Sequence, residues 1–264
     1  MSRFINRKTA LAVSMEALEL PFTPTVFSPF TGGIEVSLED KSMGGKIIDW
    51  IKTLIAKIKA FLGSSIKNFF DQTERRLHGL PKGPMKVNRI EGIKTVLKIP
   101  ELAAAGAYSR FVGEARKEIL TLVKALAENH ALIYQTAKSG KTEVQLKPIN
   151  SNITYLDIKA NGHMLQVNTV NSTFTLAVNN SPVEEFRKLI SDLKNTTELD
   201  GVLNKMTREA EDLVKIAAAD EKFVPLAKLA GELSTQVCKL TNIDKLVFMR
   251  EVNTILDRIL QAIK

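Results

Sequence analysis

The segment from Gly44 to Phe70 constrains the fold more than any other stretch of this chain. On a helical projection of about 100° per residue, ten large apolar side chains share one wide arc. They are Ile47, Ile48, Ile51, Leu54, Ile55, Ile58, Phe61, Leu62, Ile66 and Phe69. Lys46, Lys52, Lys57, Lys59 and Lys67 occupy the opposite arc. That pattern specifies a basic amphipathic helix, expected to kink at Gly63-Ser64-Ser65. Asp49 is its one acidic residue, whereas an ordinary surface helix mixes both signs. The arc has two destinations. It packs into the protein's own core, or it docks on a membrane or partner helix with the five lysines as anion or membrane contacts. Internal packing is the favoured reading, because an exposed arc of this size promotes aggregation.

Upstream of this helix, residues 1–43 read as an irregular leader. Pro21, Pro24 and Pro29 break the run, and Gly32-Gly33 follow. Proline fixes φ and removes a donor, so the segment is expected to be extended. Arg3, Arg7 and Lys8 precede a short apolar run, but Glu16 and Glu19 interrupt it, unlike a secretory signal. No stretch approaches the ~20 apolar residues that span a bilayer. The net charge is +8, and residues 1–39 hold three basic and four acidic side chains, so the remainder carries +9. That balance is compatible with an anionic partner.

Residues 77–100 read as a connector, punctuated by Gly79, Pro81, Gly83, Pro84 and Pro100, with a short helix expected near Glu91 to Leu97. Glu101 to Lys138 reads as a long helix stopped by Ser139-Gly140. Between Thr142 and Val178 the apolar period changes to two. Asn161-Gly162 marks a hairpin and Asn171-Ser172 a second turn, so three or four strands are expected as an antiparallel meander. Four helices are expected beyond it: Ser181 to Lys194, Glu198 to Ala219, Phe223 to Lys239, and Asn242 or Ile243 to Lys264. The fold class is therefore α+β and mostly α-helical, a helical bundle with an inserted small antiparallel β-meander at about 142–178. Its organisation reads as a leader at 1–43, the basic helix at 44–76, the connector at 77–100 and a helical body at 101–264.

No reaction chemistry is declared. The lone Cys238 excludes an internal disulfide framework and reads as a small buried hydrophobe. Ser139-Gly140-Lys141-Thr142 resembles the end of a phosphate loop. The glycine required five residues before Gly140 is Gln135, however, and the order is helix then strand rather than the reverse. Glu184-Glu185 and the pair Glu209 and Glu211 read as solvated helix carboxylates, and His130 as an ordinary exposed or packed histidine. The expected strands carry just Tyr155 and Phe174, which do not make a base-stacking platform. No catalytic residue, cofactor, metal or small-molecule substrate is expected.

The leader supports a resemblance. Ser14-Met15-Glu16 and Ser37-Leu38-Glu39 fit the small-x-Glu pattern after which prohead proteases of tailed bacteriophages cut, as does Gly33-Ile34-Glu35. Cuts there leave Ala17 or Asp40 as the new N-terminus. Ala219-Asp220-Glu221 and Ala230-Gly231-Glu232 also match, but by chance, within the expected helical region. A proline-broken leader, such a site and then a Lys/Ile/Phe-rich helix is similar to the internal head and virion structural proteins of giant tailed phages. The resemblance covers roughly residues 10–75. It implies a non-enzymatic protein of the virion interior, matured by proteolysis, with other virion proteins and packaged DNA as partners. It further implies host cytoplasm as the location during assembly or after ejection. The alternative reading is a membrane-active or partner-binding protein acting through helix 44–70.

Overall fold

The computed structural model describes residues 41–63, 67–80, 90–99, 105–149, 153–161, 164–167, 170–174 and 182–262. The basic amphipathic segment forms α1 (Lys41–Gly63) and α2 (Lys67–His78). The expected kink at Ser64 and Ser65 lies outside the described residues, as do the leader and its candidate processing sites. The long helix is α3 (Ala105–Lys138), unbroken over its described length. It ends in a Schellman motif. Gly140 takes a φ of 77°, its N–H donates to the Ala137 carbonyl, and the Lys141 N–H donates to that of Thr136.

The C-terminal region supplies α4 (Pro182–Lys194), α5 (Thr197–Ala219), a 3-10 turn at Glu221–Phe223, α6 (Val224–Asn242) and α7 (Phe248–Ala262). The break expected between the third and fourth of these helices does not occur. A π-helical segment, Ile243–Val247, joins α6 to α7 as one rod. The junction contains neither Gly nor Pro to stop a helix, and the wider turn carries the charged pair Asp244-Lys245 into the interior.

The β region is rearranged relative to a meander. β2 (Ile158–Asn161) and β3 (Met164–Val167) form the expected hairpin, with Ile158 opposite Val167 and Asn161 opposite Met164. β4 (Val170–Phe174) instead pairs with β1 (Ile90–Thr95), antiparallel, with Thr95 opposite Val170. Asn171 and Ser172 therefore lie within a strand and make no turn. The helix expected at Glu91 to Leu97 is likewise a strand, and the supposed connector contributes Thr95, Val96 and Leu97 to the core. Pairing distant in sequence overrides the local pattern here.

Residues 142–149 form no strand, because Asn129 on α3 captures this stretch edge-on. Its side-chain amide donates to the Lys147 carbonyl and accepts from the Lys147 N–H, both at 2.9 Å. Glu118, further up α3, accepts from the backbone N–H groups of Thr154, Tyr155 and Leu156 at 2.6–3.2 Å. That places Leu156 beside Leu97, where the two form an isolated antiparallel bridge.

All elements share one core. α3 packs on α5 and α6, α1 lies across α5 and α6, and α2 packs on α4 and α7. The apolar arc of α1 is consumed in this assembly: Ile51 and Ile58 are 1% exposed, Leu54 and Phe61 3%. The structure thus has the expected mostly helical bundle with small antiparallel β elements. No helix among the described residues is long and apolar enough to cross a membrane.

Candidate functional site

Three places gather polar side chains: the outer flanks of α1, a groove between α3 and α5, and the buried face of the π segment.

On α1 the lysines divide by flank. Lys52 pairs with Asp49 at 3.6 Å on the same helix, and Lys59 pairs with Glu211 of α5. Lys46 and Lys57 make neither a hydrogen bond nor an ion pair among the described residues. Lys67 opens α2, so the five expected contact lysines span two helices. Trp50 is the exposed large apolar side chain among the described residues, at 42%. Its ring rests on α6 at Gly231, where an added Cβ would stand 2.9 Å from the indole.

The α3–α5 groove encloses about 520 Å³ and is lined by Tyr134, Asn204, Lys205, Arg208, Glu209 and Asp212. Glu209 is not the solvated carboxylate that its sequence position suggested. It is 13% exposed and meets Nδ1 of the fully buried His130 at 2.9 Å. A helix periodic in apolar residues hides such a pairing, because His130 and Glu209 are 79 residues apart. Tyr134 donates to Asp212 at 3.3 Å, and Asp212 also accepts from Lys215. Those two contacts hold the Asp212 carboxyl below its usual range, Lys215 contributing most. Tyr134 pairs with Asp212 across the groove and Lys205 with Glu209 along α5, and none of these six residues is a serine, cysteine or threonine nucleophile beside a base.

The π segment carries the deepest charges. Arg116 of α3 reaches Asp244 at 2.6 and 3.2 Å, with the carboxylate 1% exposed. The same guanidinium donates to the carbonyls of Asp192 and Asn195 at the end of α4. Burial pushes the Asp244 carboxyl up, and the Arg116 guanidinium pulls it back. Next in sequence, Lys245 pairs with Asp200 of α5 and lies 5.2 Å from the Phe61 ring centroid. The two ion pairs tie α1, α3, α4 and α5 to the π segment. They lock element positions and expose no reactive group.

A fourth polar contact sits one turn into α7. Glu251, 2% exposed, accepts from the Tyr108 hydroxyl at 3.0 Å. Burial pushes its carboxyl up to about 7, against the opposing contributions of the Thr95 hydroxyl, Tyr108 and the Val96 amide. A carboxyl raised in the native state favours folding while protonated. Stability is therefore full below its unfolded value near 4.5 and declines as pH rises to about 7. The decline amounts to roughly 3 kcal/mol. Thermal melts at pH 5 and pH 8 are expected to show it, and Glu251→Gln is expected to raise the pH 8 melting temperature toward the pH 5 value. A Glu251→Gln protein with the wild-type pH dependence would assign that dependence elsewhere.

Cys238 behaves as the sequence implied. It is buried in α6, and desolvation pushes its thiol up to about 11, leaving it unreactive at neutral pH. Among the described residues no cluster of His, Cys, Asp and Glu has the arrangement to hold a metal ion. No protein-family model, curated protein or solved structure matches the chain.

Proposed function

We propose that this chain is a non-enzymatic structural protein of a tailed-phage head, packaged beside the DNA after a prohead protease removes its leader. The observation that carries this reading is the position of the two serine-type sites relative to the core. Cuts after Glu16 or Glu39 remove none of the described residues, since α1 begins at Lys41. Maturation would leave every described helix of the bundle in place and yield a body of net charge +6 after the first cut or +9 after the second. The chance matches inside the body are unsuited to cleavage. Gly231 is packed under Trp50 and Ala230 is fully buried, while Asp220 caps a turn by accepting from the Lys222 N–H. A protease needs an accessible, locally unfolded segment.

The rival reading, action on a membrane or partner through helix 44–70, requires an apolar face to insert. α1 spends that face on α5 and α6. Within the proposed reading, the partners are other virion proteins and packaged DNA. The location is the capsid interior, with host cytoplasm during assembly or after ejection.

Intact-mass measurement of the protein from native particles tests the proposal. The expected N-terminus is Ala17 or Asp40. Mature particles that retain residues 1–16 would overturn it.

A further inference from the structure

We infer that the flank of α1 carrying Lys46, Trp50 and Lys57, where α1 meets α6, is the surface on which the protein holds the phosphate backbone of duplex DNA. The inference rests on the proposed function and names the contact surface within it.

The lysines of α1 fall into two unequal groups. Lys52 and Lys59 point to the flank facing α5, and each has an acidic partner, Asp49 and Glu211. A paired lysine loses its partner when it engages a phosphate, so its net gain from DNA is small. Lys46 and Lys57 lie within about 40° of Trp50 on the helical projection. Neither has a partner among the described residues. Their charges are thus available for the release of counterions from DNA, which drives non-specific binding. Eleven residues separate them, or about 16 Å along the helix at its ordinary rise. That length lets both reach phosphates of the same backbone.

Trp50 sits between the two lysines. Gly231 gives its ring a seat on α6, and 42% of the residue remains exposed. A seated indole loses little freedom on binding and carries one N–H donor, suited to a phosphate oxygen. Glu232 is the acidic residue beside Gly231. Burial raises its carboxyl, and Lys228 one turn earlier acts in the opposite direction. The neighbouring helix therefore offsets its own negative charge. A membrane surface fits less well, since Trp50 alone would supply the apolar insertion.

The probe is a fluorescein-labelled duplex of arbitrary sequence, titrated with the full-length protein at several salt concentrations. Because Trp50 is the single tryptophan, its own emission reports contact directly. Wild type is expected to bind at low salt, with Trp50 emission changing on binding and recovering as salt is added. The double variant Lys46→Ala/Lys57→Ala should lose about tenfold in affinity, and its log–log salt slope should be shallower by about 2. Lys52→Ala/Lys59→Ala removes the same charge and should change affinity no more than about twofold. Both variants should melt as cooperatively as wild type.

Equal losses in the two double variants would overturn the inference in favour of dispersed charge, leaving the virion reading in place. Unchanged Trp50 emission would also overturn it. A tenfold preference for a single strand would overturn it by assigning Trp50 to base stacking. Binding to phosphatidylglycerol vesicles, lost in Lys46→Ala/Lys57→Ala, would reassign the flank to membrane. No binding to the duplex at low salt would overturn it too, whereas the virion reading is decided separately by the native N-terminus.

Discussion

Replacing Ile58 with Asp is expected to unfold the helical body at 25 °C or to lower its melting temperature by more than about 10 °C. Ile58 is 1% exposed, in the middle of the arc by which α1 crosses α5 and α6. The substitution removes a buried side chain whose burial contributes about 2–3 kcal/mol. It also leaves a carboxylate in an apolar site, where it must be desolvated or protonated at a further cost of several kcal/mol. The sum is comparable to the whole stability of an ordinary domain, about 5–15 kcal/mol. Ile58→Ala should cost about 2–5 kcal/mol, the cavity without the charge. Circular dichroism melts of the two variants give the comparison. A cooperative, monomeric Ile58→Asp protein melting near the wild-type temperature would show that α1 does not depend on this core.

Arg116→Ala is expected to cost about 3–5 kcal/mol. Without the guanidinium, Asp244 remains 1% exposed with no compensating charge from Arg116, and two carbonyls at the end of α4 lose a donor. In the variant the Asp244 carboxyl is raised further above its unfolded value. Its penalty is then absent below about pH 4 and grows as pH rises. The deficit relative to wild type should therefore be larger at pH 8 than at pH 5. Adding Asp244→Asn to Arg116→Ala should recover part of the loss at pH 8, because it removes the buried charge and retains the volume. Urea denaturation at the two pH values measures both effects. Additive losses in the double variant would mean that the two side chains do not act as a pair.

Local signals carried much of the architecture. The period of α1, the αL stop at Gly140, the Asn161-Gly162 hairpin and the limits of α4 and α5 all follow from spacing and turn chemistry within a few residues. The buried charges were partly legible. Asp244 and Glu251 stand seven residues apart, on the same helical stripe as Phe248, Ile255 and Ile259, all of which are buried. Carboxylates at apolar-stripe positions are a sign of paired interior groups. Their partners Arg116 and Tyr108 lie 128 and 143 residues away, so spacing alone does not identify them.

The sequence by itself determined that the apolar arc of residues 44–70 must be covered, by the protein's own core or by a partner or membrane, because ten large apolar side chains on one side of a helix are unfavourable in water. It determined the helical class for the same kind of reason, since capping, glycine stops and periodicity act within a turn or two. Tertiary structure decided what each face meets. β4 chose β1 over β3, Asn129 drew residues 142–149 away from strand pairing, and α6 continued through a π segment into α7. It also separated lysines that look equivalent in sequence, pairing Lys59 with Glu211 and leaving Lys57 without a partner among the described residues. Those outcomes depend on groups brought together from distant parts of the chain. Their energies come from desolvation and pairing at the contact, which no local window of sequence contains.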